Sequence, residues 1–178
     1  QVLGQALSAA AACVQEGDWQ AGEAVIEAML ARFPDWLRGH AVIAKMRWEY
    51  GQQPDFDRSY EIATNALPKN GALYAAWSDG LVQTGQTEKA VEVLERGQSH
   101  AGSNPQFDAL HAWIASERGD LSIAADLYAA MREPSDPFAA TGAIRNFLRL
   151  GEWLRAADIC ERLISGPAAN QIWPYASI

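Results

Sequence analysis

Apolar residues recur at spacings of three and four along most of the chain, which is the spacing that lines one face of an α-helix. Short polar or glycine-containing breaks separate these stretches. The pattern therefore predicts an all-α protein built from consecutive pairs of helices. We expect first helices at 3–16, 36–50, 71–84, 105–118 and 137–150, and second helices at 19–33, 55–67, 87–99, 121–132 and 153–165.

Five glycines mark the turn inside each predicted pair. They are separated by 34, 34, 34 and 32 residues, and each lies where one helical stretch ends and the next begins. A helix often ends at a residue with left-handed backbone angles, which glycine adopts without steric cost. The interval therefore predicts five structural repeats, with turns at Gly17, Gly51, Gly85, Gly119 and Gly151.

Small side chains recur at two places around these glycines. Seven residues before the glycine, four of the five repeats have alanine or serine, and five residues after it, four have glycine or alanine. Small side chains let two antiparallel helices approach closely, so these positions predict the contact within each pair. They are Ala10, Ala44, Ser78 and Ala112 before the glycine, and Gly22, Ala90, Ala124 and Ala156 after it.

The second repeat departs from this pattern directly after Gly51. Residues 52–54 look inserted, so that the small positions shift to Ser59, Ala63 and Ala66, and Pro68 then ends the second helix early. We expect a lengthened turn between the two helices of this repeat.

A repeat with a small residue, a glycine turn, an alanine, a bulky residue and a closing proline in this order resembles the tetratricopeptide repeat. The resemblance covers residues 3–165 and implies a right-handed α-solenoid of about five helix hairpins and the start of a sixth. Sel1-like repeats share this architecture, whereas the acidic composition disfavours RNA-binding pentatricopeptide repeats. We interpret the chain as a single repeat domain, with repeats at about 3–36, 37–70, 71–104, 105–136 and 137–169.

The two ends of the chain suggest a piece of a longer protein. A further helix is expected over 170–178, with Pro174 in its first turn, where proline is tolerated. The chain stops inside this helix, and it begins with Gln1 rather than methionine. We therefore expect additional sequence in the complete protein.

The segment Asn170–Tyr175 carries a second, much shorter resemblance. It is similar to the stretch that joins tetratricopeptide repeats to a following 2-oxoglutarate/Fe(II) oxygenase-like domain in some bacterial proteins. Such enzymes hold iron with two histidines and a carboxylate, and one histidine lies two residues before the acid. His40, His100 and His111 are not followed by an acid at that spacing, so an iron site of this kind would lie outside the chain.

Charge and hydropathy limit the kind of partner. The chain has 22 acidic and 14 basic residues, a formal net charge of −8 at pH 7, whereas proteins that bind nucleic acids usually show a basic face. Its apolar runs are too short to span a bilayer, and no signal-peptide pattern is present. We expect a cytoplasmic protein that binds neither nucleic acid nor membrane. The sequence leaves the oligomeric state open.

No catalytic or metal-binding motif is evident. A phosphate-binding loop, a nucleophile elbow and a His-Glu-x-x-His sequence are all absent. Asp55 and Asp57 are interpreted as helix-capping residues and His111 as a packed residue. Cys13 and Cys160 are interpreted as small buried hydrophobic residues, too far apart to form a disulfide. The sequence predicts no catalytic residue, no metal and no cofactor.

Seven tryptophans are a high number for this length. Trp19 and Trp153 both lie two residues after a repeat glycine, which predicts a packing role for each by symmetry. Trp36 begins a predicted helix, and Trp77 lies on an apolar stripe. Structural roles are therefore expected for these four.

The resemblance also implies a concave surface lined by the first helices. In tetratricopeptide proteins the lining residues lie at fixed distances before the repeat glycine, and here those positions are largely aromatic, basic or polar. The candidate groove residues are Arg38, Lys45, Trp48, Asp79, Gln106, Trp113, Phe138, Arg145 and Arg149.

Tryptophan and arginine are enriched at binding hot spots, and arginine suits carboxylates. Our hypothesis is a protein–protein interaction scaffold that binds a partner polypeptide with apolar and acidic side chains in this groove. Arg38 and Lys45 are basic, but the asparagines of a chaperone-tail clamp are missing. One alternative is docking against another domain of the same chain, as the substrate-recruiting or regulatory arm of a larger enzyme such as an oxygenase-like protein. The other is a merely solvated surface.

Overall fold

The computed structural model describes residues 1–51, 53–131 and 137–165, and it describes the side chains of these residues except 137, 138 and 165. Over these ranges all regular structure is helical, as the sequence predicts. The α-helices are α1 (Val2–Gln15), α2 (Trp19–Arg32), α3 (Leu37–Glu49), α4 (Arg58–Ala66), α5 (Gly71–Gln83), α6 (Thr87–Ala101), α7 (Pro105–Arg118), α8 (Leu121–Ala130), α9 (Pro137–Leu150) and α10 (Trp153–Ser165).

Several expectations fall on residues outside these ranges. They are the further helix over 170–178, the oxygenase-like segment Asn170–Tyr175 and the end of the predicted helix at 132. The inserted Gln52 also lies outside them.

The five repeat glycines end the first helix of each pair with left-handed backbone angles. Their φ values lie between 75° and 97°, which confirms the conformation predicted from the spacing. In four of these turns the residue after the glycine donates its backbone N–H to the carbonyl five residues back, at 2.8–2.9 Å. These bonds are Asp18 to Cys13, Gln86 to Leu81, Asp120 to Ala115 and Glu152 to Phe147. The same motif therefore ends α1, α5, α7 and α9.

The small positions beside the glycines are buried, as predicted. Ala10 is 2% exposed and Ala112, Ala90 and Ala124 are each 0% exposed. Ser78 is also fully buried, and its hydroxyl donates a hydrogen bond to the Ala90 carbonyl across the α5–α6 contact at 3.1 Å. Close approach within each pair thus follows from side-chain size.

The helices form two compact units, which divide between Ser103 and Asn104. In the first unit, α1 with α2 and α5 with α6 form close hairpins, and α3 packs against both α2 and α5. In the second unit, α7 with α8 and α9 with α10 form close hairpins, and α9 packs against both α7 and α8. Within each unit a first helix therefore lies beside the first helix of the next repeat.

The second repeat contains the lengthened turn that the sequence predicts. A 3-10 turn over Gln53–Asp55 separates α3 from α4, and α4 begins at Arg58, three residues later than expected. Phe56, 4% exposed, meets the Trp48 ring edge-on at 5.8 Å between centroids. Its Cζ atom also lies 3.2 Å from the place that a Cβ atom on Gly80 would occupy. The extra turn therefore places the Phe56 ring between α3 and α5.

The interpretation of Asp57 as a capping residue is wrong. Asp57 precedes α4, but its side chain caps no backbone N–H. Its carboxylate, 7% exposed, instead accepts a hydrogen bond from Trp77 Nε1 at 3.2 Å and pairs with Lys89 Nζ at 2.5 Å. A buried carboxylate needs such partners because desolvation of its charge is costly. Asp57 therefore links α4 to α5 and α6.

Two further expectations need correction. Trp19 stacks on Tyr50 with centroids 5.8 Å apart, but Trp153 is 66% exposed, so the packing role predicted by symmetry fails in the last repeat. Trp19 is covered by the ring of Tyr50, which directly follows α3. Cys13 and Cys160 are half-buried free thiols rather than fully buried residues.

An aromatic and cationic column runs through the first compact unit. His40 stacks on Tyr60 at 5.1 Å, and Tyr60 stacks on Trp77 at 6.1 Å. The Arg96 guanidinium then lies 4.7 Å from the Trp77 ring centroid and 5.5 Å from that of Tyr74. The column joins α3, α4, α5 and α6 through ring faces.

Candidate functional site

Arg38 and Lys45 are exposed on α3. Lys45 Nζ lies 3.6 Å from Glu49 Oε1 one helical turn later, and the two side chains are 74% and 49% exposed. An exposed pair of this kind contributes little to stability. Both basic side chains of this helix face are therefore accessible to a ligand.

Trp48 is half-buried near the end of α3. Its edge-on contact with the buried Phe56 ring fixes part of the indole, and the remainder is open to solvent. A tryptophan held in this way offers a large apolar surface at a low cost in side-chain entropy.

Asp79 lies half-buried on α5 and accepts a hydrogen bond from Gln83 Nε2 at 2.9 Å. Burial raises the pKa of its carboxyl above the ordinary value, and the Gln83 hydrogen bond opposes that rise. Burial also raises the pKa of Tyr60, and the negative charge of Asp79 adds to that effect. The charge of Asp79 therefore acts on Tyr60, one ring of the aromatic column.

Gln106 and Trp113 lie on α7 in the second compact unit. Gln106 is exposed, and its backbone N–H donates to the Asn104 side chain at 3.0 Å, which caps the helix. Trp113 is half-buried, and its Nε1 donates to Glu117 Oε1 at 3.2 Å. The indole is thus oriented by a carboxylate one turn away.

Arg145 and Arg149 project from α9 and are exposed. Arg149 Nη1 donates to the Ser116 carbonyl at 2.9 Å and to its hydroxyl at 3.2 Å, which ties α9 to the end of α7. Phe138 belongs to the same helix, but its side chain is outside the described set. The sequence of α9, Pro137–Leu150, contains these two arginines and no acidic residue.

The Tyr128 hydroxyl is a buried polar group that lies against α9. Burial raises the pKa of Tyr128 to about 12, while the Arg145 charge lowers it and the Glu117 charge raises it. A Cβ atom on Gly142 would collide with this hydroxyl, so the phenol rests against the α9 backbone. Tyr128 is therefore a buried phenol of α8 packed on α9, and the charges of Arg145 and Glu117 act on its pKa in opposite directions.

The predicted residues thus belong to two local faces. Arg38, Lys45, Trp48 and Asp79 lie on α3 and α5 of the first compact unit, and Gln106, Trp113, Arg145 and Arg149 lie on α7 and α9 of the second. Their use as one groove stays a prediction.

Arg47 is the side chain that the sequence analysis missed. It is 2% exposed, and its Nε and Nη2 atoms each lie 2.6 Å from a carboxylate oxygen on α2, in Glu23 and Glu27 respectively. Its Nη1 donates to the Asp55 carbonyl at 3.1 Å. A signal was present, because the same position, four residues before the repeat glycine, is apolar in the other repeats, which have Cys13, Leu81, Ala115 and Phe147.

The described part of the chain offers neither a metal site nor a membrane span. No group of three or more His, Cys, Asp or Glu side chains there is arranged to hold a metal ion. No helix in the described ranges combines the length and the apolar character needed to cross a membrane.

Two solved structures share this fold. TTC0263, a thermophilic TPR (tetratricopeptide-repeat) protein of Thermus thermophilus, matches with a TM-score of 0.63 and 14% sequence identity, over 98% of this chain and 97% of that one. The MamA protein matches with a TM-score of 0.54 and 11% identity, over 97% and 94% of the two chains. No protein-family model and no curated protein matches the sequence. The chain therefore has the tetratricopeptide-repeat fold that its sequence resemblance implies.

Proposed function

We propose that this protein is an interaction scaffold that binds a partner polypeptide on the faces of its first helices. The observation that carries the proposal is the α7–α9 face, where the half-buried Trp113 occurs with two exposed arginines of a helix that has no acidic residue. These two arginines belong to a chain whose net charge is −8, and one acid, Glu117 of α7, accepts from Trp113 Nε1 on the same face. The proposal is for binding and assigns no catalytic step.

The chemistry of this face favours a ligand with apolar and acidic side chains. The Trp113 indole offers apolar contact area, and Arg145 offers a guanidinium whose paired donors match a carboxylate. The Trp48 face of the first compact unit presents the same two features, a half-buried indole and the exposed cations of Arg38 and Lys45. Both faces therefore suit the same class of peptide.

Arg145 is a better residue than Arg149 for a test of this proposal. Arg149 donates to Ser116 and so supports the α7–α9 contact, which means that its removal would change stability as well as charge. Arg162 on α10 is a matched control, because it is an exposed arginine of the same compact unit whose Nη2 pairs with Asp158 at 2.7 Å.

The experiment is a selection from a random 12-residue peptide library, performed with the wild type, Arg145→Glu and Arg162→Glu. We expect the wild type and Arg162→Glu to enrich peptides rich in Asp, Glu and large apolar residues. We expect Arg145→Glu to lose the acidic preference, with at least a tenfold weaker affinity for the wild-type consensus peptide in titration calorimetry, about 1.4 kcal/mol. A wild type that enriches no acidic consensus, or an Arg145→Glu variant with unchanged affinity, would refute the proposal.

The contribution of the indoles is tested with Trp48→Ala and Trp113→Ala. We expect each to weaken the consensus peptide by more than tenfold, because a tryptophan anchor in an interface costs about 2 kcal/mol or more when truncated. Trp153→Ala is the control, since this indole is 66% exposed on α10 and lies on neither face.

A further inference from the structure

An apolar side of α10 is open to solvent in the second compact unit. The helix packs on α9 through its buried side, whereas Trp153, Leu154 and Ile164 are 66%, 87% and 73% exposed. Exposed apolar surface of this kind marks a place where another element packs. One stripe along the helix, at spacings of four, three and four residues, consists of Trp153, Ala157, Cys160 and Ile164. We call it the α10 stripe.

The same positions in α2 are covered by the first helix of the next repeat. The α10 stripe lies 2, 6, 9 and 13 residues after the repeat glycine, and these places in α2 are Trp19, Glu23, Ile26 and Leu30. Ile26 is 0% exposed and Leu30 is 8% exposed, in a cluster with Ile43 of α3. In α2 this stripe is therefore the contact with the following repeat.

The second helix α8 repeats this arrangement. Its residues at places 6 and 9, Ala125 and Tyr128, are each 5% exposed. Tyr128 shares a core cluster with Phe147 of α9, and a Cβ atom on Gly142 of α9 would collide with its hydroxyl. In α2 and α8 alike, the next first helix covers the stripe. The α10 stripe is the same surface without such a cover.

The sequence after α10 carries the start signal of a first helix. Asparagine recurs nineteen residues after the repeat glycine in three of the repeats, at Asn70, Asn104 and Asn170. The first two are the N-cap residues of α5 and α7, a position that asparagine favours because its side chain can accept from a free N–H group. Asn170 lies outside the described ranges, and its place in the repeat predicts a helix that begins directly after it.

The third residue after each of these asparagines is large and apolar. Leu73 and Phe107 hold this place in α5 and α7, and both are 0% exposed. Trp173 holds it in the segment after α10. An indole at this place is expected to pack on an apolar surface, as the two equivalent side chains do. The α10 stripe offers that surface.

We propose that residues 170–178 pack on the α10 stripe as the first helix of a sixth repeat, with the Trp173 indole as the main contact. The contact is made within one chain, by the arrangement that joins α2 to α3 and α8 to α9. It requires no peptide on the first-helix faces, so this proposal and the proposed function can fail independently.

Cys160 reports directly on this contact, because its half-buried thiol lies in the middle of the α10 stripe. The experiment measures its alkylation by iodoacetamide in the native full chain by peptide mass spectrometry, with Cys13 of α1 as the thiol measured in the same sample. We expect Cys160 to react on the order of tenfold faster in Trp173→Ala, since a covered thiol reacts when its cover opens. Cys13 should keep its rate. Ile172→Ala is the matched control, because the equivalent residue of α7, Gln106, is exposed.

A second pair of variants tests the contact from the side of α10. Ile164→Lys places a charge on the α10 stripe, and Ile123→Lys is its control, because Ile123 is 57% exposed on α8 at a place that belongs to no stripe. We expect Ile164→Lys to lower the midpoint of thermal unfolding and to accelerate alkylation of Cys160, since burying a charge against an indole is costly. Ile123→Lys should do neither. On an uncovered stripe the two variants would behave alike.

Three results would overturn the proposal. The first is equal alkylation of Cys160 in the wild type and in Trp173→Ala, and the second is an Ile164→Lys variant with the rate and stability of Ile123→Lys. The third is protection of Cys160 that rises with protein concentration and persists in Trp173→Ala, which would assign the α10 stripe to a second copy of the chain. Rates are therefore measured over a range of protein concentrations, together with sedimentation velocity. These readouts leave the peptide selection with Arg145→Glu unaffected.

Discussion

Arg47 shows how strongly one side chain can alter a repeat. Its buried guanidinium is shared by Glu23, Glu27 and the Asp55 carbonyl, so that α3 is tied both to α2 and to the extra turn. Glu23 is itself only 14% exposed in its side chain, whereas Glu27 is 52% exposed. Removal of the arginine would therefore leave one poorly solvated carboxylate without its partner, and the cavity of the missing side chain beside it.

We expect Arg47→Ala to lower the free energy of unfolding by about 3 kcal/mol, because breaking a buried ion pair leaves an uncompensated charge. Lys45→Ala removes an exposed pair on the same helix and should change it by less than about 0.5 kcal/mol. Urea denaturation followed by circular dichroism measures both. Equal effects of the two variants would contradict this account of Arg47.

We expect Asp79 to lower the free energy of unfolding at neutral pH and not at acidic pH, which is the reverse of the usual effect of a folded-state carboxylate. Its folded-state pKa is raised above the ordinary 3.8 by burial. Above that raised pKa the folded protein bears the cost of a poorly solvated charge. As the pH falls through the folded pKa, the folded state takes up the proton first and this cost disappears; below 3.8 both states are protonated and no further change arises.

We therefore expect Asp79→Asn to be more stable than the wild type at pH 7, with the difference vanishing below about pH 4. Thermal unfolding over pH 3–8 measures the difference. Gln83→Ala is a matched variant of opposite effect, because it removes the hydrogen bond that lowers the pKa of Asp79 and should enlarge the pH dependence. An Asp79→Asn curve parallel to that of the wild type would refute the effect.

At the scale of the helix, the turn glycines explain how the same hairpin is built repeatedly. A left-handed glycine ends the first helix, and the next residue both bonds back to that helix and begins the second one. Asp18 illustrates this double role, since its N–H bonds to Cys13 while its carboxylate accepts from the Ala21 N–H at 2.9 Å. The hairpin geometry is therefore encoded within a few residues.

Gly119→Ala and Gly4→Ala make the same chemical change with opposite expected effects. Gly119 has φ 89°, so alanine there is strained, and we expect a loss of about 1–2 kcal/mol although no atom lies within 4 Å of the added methyl. Gly4 is in the first turn of α1 with the same open space, and alanine should stabilise by up to about 0.5 kcal/mol. Denaturant titrations of the two variants give the signs, and a neutral Gly119→Ala would contradict the role of the turn.

At the scale of the whole molecule, each compact unit has a core of its own. Ile26 and Ile43, both 0% exposed, belong to a cluster between α2 and α3 in the first unit. In the second unit, Phe147 and Tyr128 belong to a cluster that joins α7, α8, α9 and α10. Solenoids owe their stability to contacts between neighbouring hairpins, so a group of complete hairpins can fold without the rest.

We expect a fragment of residues 1–103 to unfold cooperatively with the helical circular dichroism of its six helices. A fragment of residues 1–84 is the matched control, because it lacks α6 and uncovers the apolar side of α5, where Leu73 and Leu81 are 0% exposed. It should show reduced helicity and bind hydrophobic dyes. A non-cooperative transition of the longer fragment would refute the independence of this unit.

The helical hairpins could be predicted from the sequence because their determinants are local. Glycine at a left-handed position, small residues on contact faces and apolar spacing act over a few residues, and all of them leave a trace in the order of side chains. The helix bounds in the structure consequently agree with the predicted bounds within about two residues. The start of α4 is the exception, because a 3-10 turn occupies the place of the first predicted helical residues.

Only the tertiary structure decided which polar residues meet. Arg47 with Glu23, Asp57 with Trp77 and the orphaned Nδ1 of His40 involve side chains on different helices. The sequence shows each of these residues, but its periodicity carries no information on partners that lie 20 or more residues apart. Trp19 and Trp153 hold the same place in their repeats, yet Trp19 stacks on Tyr50 and Trp153 is 66% exposed, so the position in the repeat does not by itself fix burial. Local chemistry determined the hairpin, and packing between hairpins decided where charge and empty space remain.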